Sequence, residues 1–318
     1  MILVDKPLFT DEFILRDAFQ PEIGSTYIFG TTAEDRSVFA SDLRKRVVGV
    51  RFIELREVER FVIETDDASF PRVVLRREAA VGDFAQSLGD GPLYLDMTGL
   101  SHSTWAPLTK VFLALGKEIR VVYLEPQSYT RNPSPRFGEV YDLSERIEGI
   151  APMPLFASLN DAPEEKVCFV PLLGFEGTRF AHMMEEVQPL QRKTIPIIGV
   201  PGFQPDYPFQ AYLGNSGALE RTGAHRQIKF AKSNCPFSLF YALEQIAAKY
   251  ADEHLKIGLV GTKPHALGAT LFALGSSASV ELVYDHVKRK KNRTSGADRC
   301  LVYRISDFMA ATSVGIAA

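Results

Sequence analysis

Cysteine is scarce in this chain of 318 residues: Cys168, Cys235 and Cys300 make an odd set with no Cys-x-x-Cys pair. That excludes a disulfide framework and a cysteine-rich zinc site, and Cys168 and Cys300, inside apolar runs, read as small core residues. Cys235 opens a helical stretch, where a thiol can be activated, but no spacing singles out a base for it. The histidines show no His-x-x-x-His spacing with an acid, so no metal centre is expected. No apolar run approaches the roughly 20 residues of a membrane helix. The start, Met1 to Lys6 followed by Asp11 and Glu12, lacks the basic opening and unbroken apolar core of a signal peptide. A cytoplasmic protein with no membrane partner is the expectation. There is no Walker loop and no Gly-x-Gly-x-x-Gly fingerprint, which disfavours standard NTPase and dehydrogenase chemistry and leaves no cofactor expected. Charge of one sign is also lacking: the formal balance is −3, so attraction to nucleic acid must be local, as in the run Lys288–Arg293.

What is present is alternation. Short β-branched runs alternate with amphipathic helical stretches, the pattern of parallel strands covered by crossover helices, and 46% hydrophobic residues suffice for one large core or two ordinary ones. The fold class expected is α/β: two Rossmann-like three-layer lobes with mainly parallel sheets, related by internal duplication, with a small β-ribbon inserted in the first. The lobes are placed at 1–126 and 165–318, joined by a proline-rich connector at 127–164 that packs on the surface through Met153, Leu155 and Phe156. Strands are expected near 26–30, 47–53, 92–97 and 119–124, then near 167–173, 194–200, 256–261, 280–284 and 300–305. Helices are expected near 32–46, 79–88 and 101–115, then near 176–187, 236–252 and 265–275.

Each half places glycine or threonine and charged groups just past an apolar strand, the edge where parallel sheets bind ligands. In the first half Asp96-Met97-Thr98-Gly99 precedes a long helix, whose free N–H groups favour an anion; the same residues also suit a plain turn and cap. In the second, Gly261-Thr262-Lys263 puts a lysine where the helix dipole is already positive, a position that suggests an anionic guest or else a solvated surface lysine. Glu34 with Arg36 and Glu176 with Arg179 are either phosphate-gripping pairs or ordinary ion pairs. Asp285 and His286, just before the basic run with Arg289, have the chemistry of an acid–base pair and equally that of a solvated charged hairpin.

The Asp96-x-Thr98 turn after a strand resembles the ligand-binding turn of the CRISPR-associated Rossmann-fold sensors: an acid or asparagine, any residue, serine or threonine, three residues, then a basic one. The basic position here is His102, and the second copy has Thr262 without the acid and with Lys263 too early. The resemblance implies a fold that senses cyclic or linear oligonucleotide messengers in prokaryotic antiviral systems, with two such domains paired. A tandem duplication would build that pair within one chain.

The leading expectation is a protein that binds a nucleotide or cyclic oligonucleotide where the two lobes share a carboxyl edge. Arg36, Thr98, Gly99, Arg179, Gly261, Thr262, Lys263 and Arg289 would contact phosphates, and Asp96 and Glu176 would hold donors or ribose. Two rivals stand beside it. One is a hydrolase or transferase of nucleotides or nucleic acid using Asp285 and His286, with the Lys288–Arg293 run as phosphate clamp. The other is a non-catalytic subunit whose connector and Pro201–Pro208 loop meet a protein partner; a homodimer is a further option.

Overall fold

In a computed structural model that describes residues 9–32, 34–136, 138–158 and 162–316, the chain is mixed α/β and forms two compact units. One comprises the residues up to Ser128 together with those from Thr294 onward; the other runs Tyr129–Arg293.

The first unit is built on strands β1 (Thr10–Phe13), β2 (Thr26–Phe29), β3 (Arg51–Glu59), β4 (Val62–Thr65), β5 (Arg72–Val74), β6 (Leu93–Asp96) and β7 (Ile119–Leu124). With the strand Cys300–Tyr303 they make an eight-stranded sheet in the order β1, Cys300–Tyr303, β7, β6, β2, β3, β4, β5. Its centre, β7-β6-β2-β3, is parallel, and every residue of β2 and β6 is buried, as expected of strands covered on both faces. Helices α1 (Val38–Arg46), α2 (Glu78–Ser87) and α3 (His102–Ala114) connect them. The expected ribbon is present as antiparallel β3–β4–β5. The strand expected near 300–305 does not close the second half. Cys300–Tyr303 pairs antiparallel with β7 and β1, because its four buried residues, Cys300, Leu301, Val302 and Tyr303, complete the first core instead.

The second unit carries a six-stranded sheet. Its five parallel strands are β8 (Val167–Leu173), β9 (Ile197–Gly199), β10 (Lys229–Ala231), β11 (His254–Leu259) and β12 (Val280–Tyr284). The order is β12-β11-β8-β9-β10, with Ala151–Pro152 added antiparallel beside β12. All seven residues of β8 are buried, which suits the central strand. Helices α4 (Gly177–Val187), α5 (Tyr207–Arg221), α6 (Pro236–Lys249) and α7 (Lys263–Gly275) make the crossovers. Helix α5, 15 residues long, is not among the helices expected from the sequence, where Pro201–Pro208 suggests a loop. The connector packs on this unit as its apolar residues suggest: Met153 and Phe156 are buried, and Glu139–Tyr141 forms a hairpin with Arg131–Arg136. A last helix, α8 (Ile305–Ile316), follows the strand Cys300–Tyr303. Among the described residues no helix is long and apolar enough to cross a membrane.

The parallel strands of both units wind the same way: the chain builds outward from the first strand, then crosses back to its other side. This creates a switch point between β2 and β6 in one unit and between β8 and β11 in the other. Outside the carboxyl ends of such a pair, a doubly wound sheet opens a crevice.

In the first unit that crevice is shut by backbone contact. A Cβ on Gly99 would stand 1.7 Å from the Gly30 carbonyl oxygen, so only glycine allows the two loops to touch. Gly99→Ala is expected to destabilise the protein by about 2–3 kcal/mol, the cost of an overpacked contact that must spread apart; a urea midpoint equal to that of the unaltered chain would refute it.

Candidate functional site

The first unit uses most of its expected ligand groups on itself. Asp96 accepts hydrogen bonds from the Tyr27 hydroxyl at 2.9 Å and the Thr98 amide at 2.8 Å. Thr98 Oγ1 in turn accepts from the Leu124 amide at 3.0 Å, and both side chains are buried. Arg36 is 2% exposed, not presented to a phosphate as expected. Its Nε donates to Glu34 at 2.8 Å and its Nη1 donates to the Leu124 carbonyl at 2.8 Å and the Tyr123 hydroxyl at 3.1 Å. The anion position at the start of α3 is filled by the protein's own carboxylate: Glu57 Oε1 accepts from the Ser101 amide at 2.7 Å and from the Thr104 hydroxyl. Charged partners of this kind satisfy a helix start as a phosphate would. The residues of the sensor-like turn therefore act as a buried brace between β6 and β7.

In the second unit the switch-point crevice is open and holds a cavity of about 90 Å³. Gly174 and Gly261, just past the ends of β8 and β11, line it, with Gly199 at the end of β9 and Ser233 just past β10. Glu176, Arg179, Thr262 and Arg293 supply the remaining polar wall. Aromatic residues also line it: Tyr129, Phe175, Phe203 and Tyr207. These rings hold each other in place, with Phe175 edge-on to Tyr129 at 5.3 Å and to Tyr207 at 5.1 Å, within the range of favourable ring pairs.

The connector is anchored over this site through Glu176. Its carboxylate accepts from the amides of Leu143 and Ser144, both at 2.8 Å, and from the Ser144 hydroxyl at 2.7 Å. It is a structural acceptor for backbone groups, and its second task is the charge of Arg179, 3.8 Å away. Arg179 forks onto Asp285, Nε to Oδ2 at 2.6 Å and Nη2 to Oδ1 at 2.7 Å. Burial pulls the guanidinium pKa down, but Asp285, with Tyr284 and Glu176 behind it, more than offsets this, and the net direction is upward.

That fork corrects the acid–base expectation. Asp285 is fully buried and spends both carboxylate oxygens on Arg179, so it does not orient His286 as a catalytic partner. His286 is itself buried, in a left-handed backbone conformation at φ 41°, with its ring edge-on to Tyr284 at 5.1 Å.

Thr262 and Lys263 also differ from expectation. Thr262 caps α7: its Oγ1 accepts from the His265 amide at 3.3 Å and donates to the Ser233 carbonyl at 2.7 Å. Its hydroxyl is thus committed before any ligand arrives. Lys263 lies at the start of α7 but is 5% exposed and does not line the cavity. The basic run spends Lys288 on Glu145 at 3.0 Å and Lys290 on Asp142, while Arg289 lies opposite Ser144 in a short antiparallel pair. Only Arg293, at the run's end, reaches the cavity wall. Among the described residues no group of histidine, cysteine and acidic side chains could hold a metal ion.

No family model matches the chain, and no curated protein is similar to it. Among solved structures, a hypothetical agmatinase from Burkholderia thailandensis aligns over 91% of this chain and 82% of its own, at 11% identity and a TM-score of 0.23. A score that low carries no argument about fold or activity.

Of the expected ligand residues, the structure therefore brings Glu176, Arg179, Gly261 and Thr262 together around one cavity and leaves Arg36, Asp96, Thr98 and Gly99 in a closed brace elsewhere. Ser233 and the aromatic wall are not among the residues expected from the sequence. The available signal is the aromatic spacing Phe203 and Tyr207 just past the short strand β9, at the same sheet edge as Gly261.

Proposed function

We propose that this chain is a binding protein for a nucleotide-type ligand, seated at the carboxyl edge of the second unit's parallel sheet. The observation that carries this reading is the cavity at the switch point between β8 and β11, lined by Gly174 and Gly261 at the strand ends together with Arg179, Arg293 and the rings of Tyr129, Phe175, Phe203 and Tyr207. Doubly wound sheets bind ligands at this position. Aromatic faces accept bases by stacking, and guanidinium groups accept phosphate in a fork. The common strand winding of the two units supports an origin by internal duplication, in which the first copy has closed its crevice. The Asp96-x-Thr98 turn is closed in the first unit and reaches this site only through the common origin of the two units; on that ground its likeness to CRISPR-associated Rossmann-fold sensors suggests cyclic or linear oligonucleotides within the nucleotide class, and sensing rather than turnover. A signal of that kind in an antiviral system is the setting this reading suggests.

Calorimetry of the full chain against nucleotides and cyclic oligonucleotides tests the proposal. At least one member is expected to bind, and Arg293→Ala is expected to weaken that binding by roughly 1.5–3 kcal/mol, the worth of a hydrogen bond to a charged group. No binding by any member would defeat the reading; binding that Arg293→Ala leaves unchanged would remove this arginine from the site.

A further inference from the structure

Among the described residues, one hydroxyl in the cavity wall takes no part in the protein's own hydrogen bonding. Ser233 is 5% exposed, yet among the described residues nothing hydrogen-bonds to its Oγ. Its backbone is fully engaged instead: its amide donates to the Pro201 carbonyl at 3.1 Å and its carbonyl accepts from Thr262 Oγ1 at 2.7 Å. The side chain is aimed by these bonds. It lies directly over Gly199, where an added Cβ would stand 2.0 Å from the Ser233 oxygen, so the strand end leaves room for that hydroxyl and for nothing larger. A hydroxyl on a cavity-lining residue that bonds no described protein group is a donor and acceptor open to a guest.

The charges around the cavity indicate what kind of guest. Two guanidinium groups, Arg179 and Arg293, are matched by two carboxylates, Glu176 and the Asp285 bound to Arg179. A phosphate would bring uncompensated charge among side chains whose charges already balance, whereas an uncharged ring would not. The volume of about 90 Å³ suits a compact group, and the aromatic wall offers it a stacking face.

On the basis of the nucleotide-binding reading above, we infer that the cavity admits the base of the ligand rather than a phosphate, and that Ser233 Oγ hydrogen-bonds the edge of that base. Phosphates then lie at the mouth. Ser233 is the specificity residue of the site.

The test titrates the full chain with the four common ribonucleosides, with inorganic phosphate and with pyrophosphate, for the unaltered protein and for Ser233→Ala. Because Oγ bonds no described residue, Ser233→Ala is expected to melt at the same temperature. One nucleoside is expected to bind measurably and the two inorganic anions not, and Ser233→Ala is expected to lower that nucleoside's affinity about fivefold to tenfold, the range of a neutral hydrogen bond. Unchanged nucleoside affinity in Ser233→Ala overturns the assignment of Ser233 while the site stands. Binding of pyrophosphate without any nucleoside overturns the base-in-cavity inference and leaves the nucleotide reading intact. If nucleosides, anions and the wider nucleotide panel all fail to bind, both fall.

Discussion

Arg179→Ala is expected to destabilise the protein by about 3–5 kcal/mol, more than the overpacked Gly99→Ala. The reason is the partner it abandons. Asp285 is fully buried at the end of β12, and both of its oxygens accept from Arg179. Without the guanidinium the carboxylate must stay charged in a poor solvent, take up a proton, or drag the strand end toward water, and each course weakens the fold. A buried pair need not stabilise relative to an apolar pair of similar volume, so Arg179→Met combined with Asp285→Leu is expected to recover most of the loss. Urea unfolding of the three proteins checks both statements. A loss under about 1 kcal/mol for Arg179→Ala would mean that water reaches Asp285 and that the fork is no more than a surface pair. The same result governs how ligand data are read: a binding defect in Arg179→Ala reports the fold as much as the site, which is why Arg293 and Ser233 are the better probes.

Acid is expected to weaken the protein through His265. This ring lies wholly inside α7's packing face, and Nε2 sits 3.1 Å from the Lys232 carbonyl, an arrangement that suits the neutral tautomer with its proton on that nitrogen. Burial pulls its pKa down to about 4 from 6.5, only partly opposed by the backbone carbonyls of Lys232 and Ala231. The unfolded chain therefore binds a proton that the folded chain refuses between those two values. The contribution is complete above pH 6.5 and is lost as pH falls toward 4; at 1.36 kcal/mol per pH unit the interval amounts to about 3 kcal/mol. His265→Gln keeps a donor for the Lys232 carbonyl and removes the titration, so its stability is expected to be nearly flat over the same range. Equal slopes for the two proteins, from urea midpoints at a series of pH values, would place the acid sensitivity elsewhere. Glu281 does not mimic the effect. Its burial raises the pKa, but His254 and Lys256 outweigh that, and the net direction is below the usual carboxylate value, so its stabilising charge is lost only at still lower pH.

Much of the α/β pattern was legible because it depends on periodicity. Runs such as Val167–Leu173 and Leu93-Tyr94-Leu95 are apolar on both faces, as strands covered by helices on both sides require. Helix α5 was not legible: Pro201, Gly202 and Pro208 punctuate its approach, Gly214 and Gly217 interrupt it, and five buried residues, Tyr207, Ala211, Asn215, Ala218 and Leu219, are too few to mark a strong stripe. Cys300–Tyr303 was seen as a strand, but which sheet it joins is a matter of tertiary pairing that a short apolar run cannot specify. The same limit explains the site residues. Polar side chains at strand ends were visible, but whether Thr98 faces a guest or the Leu124 amide depends on how closely Gly99 approaches Gly30. Lysine at a helix start signalled an anion by a sound electrostatic rule, yet Lys263 is buried and does not line the cavity. Ser233 carried no signal at all, because its importance arises from what it fails to bond.

The second unit is continuous in sequence, while the first is finished only by Cys300–Tyr303, which takes its place between β1 and β7. The two ends of the inserted stretch lie within a single hydrogen bond, from the Thr130 amide to the Arg293 carbonyl at 2.9 Å. During synthesis, where chains normally mature from the front, the order is thus reversed: the later-encoded body can close while the earlier one still waits on the ribosome with an open sheet edge. Aggregation of nascent chains and rescue by chaperones should concentrate on that waiting half.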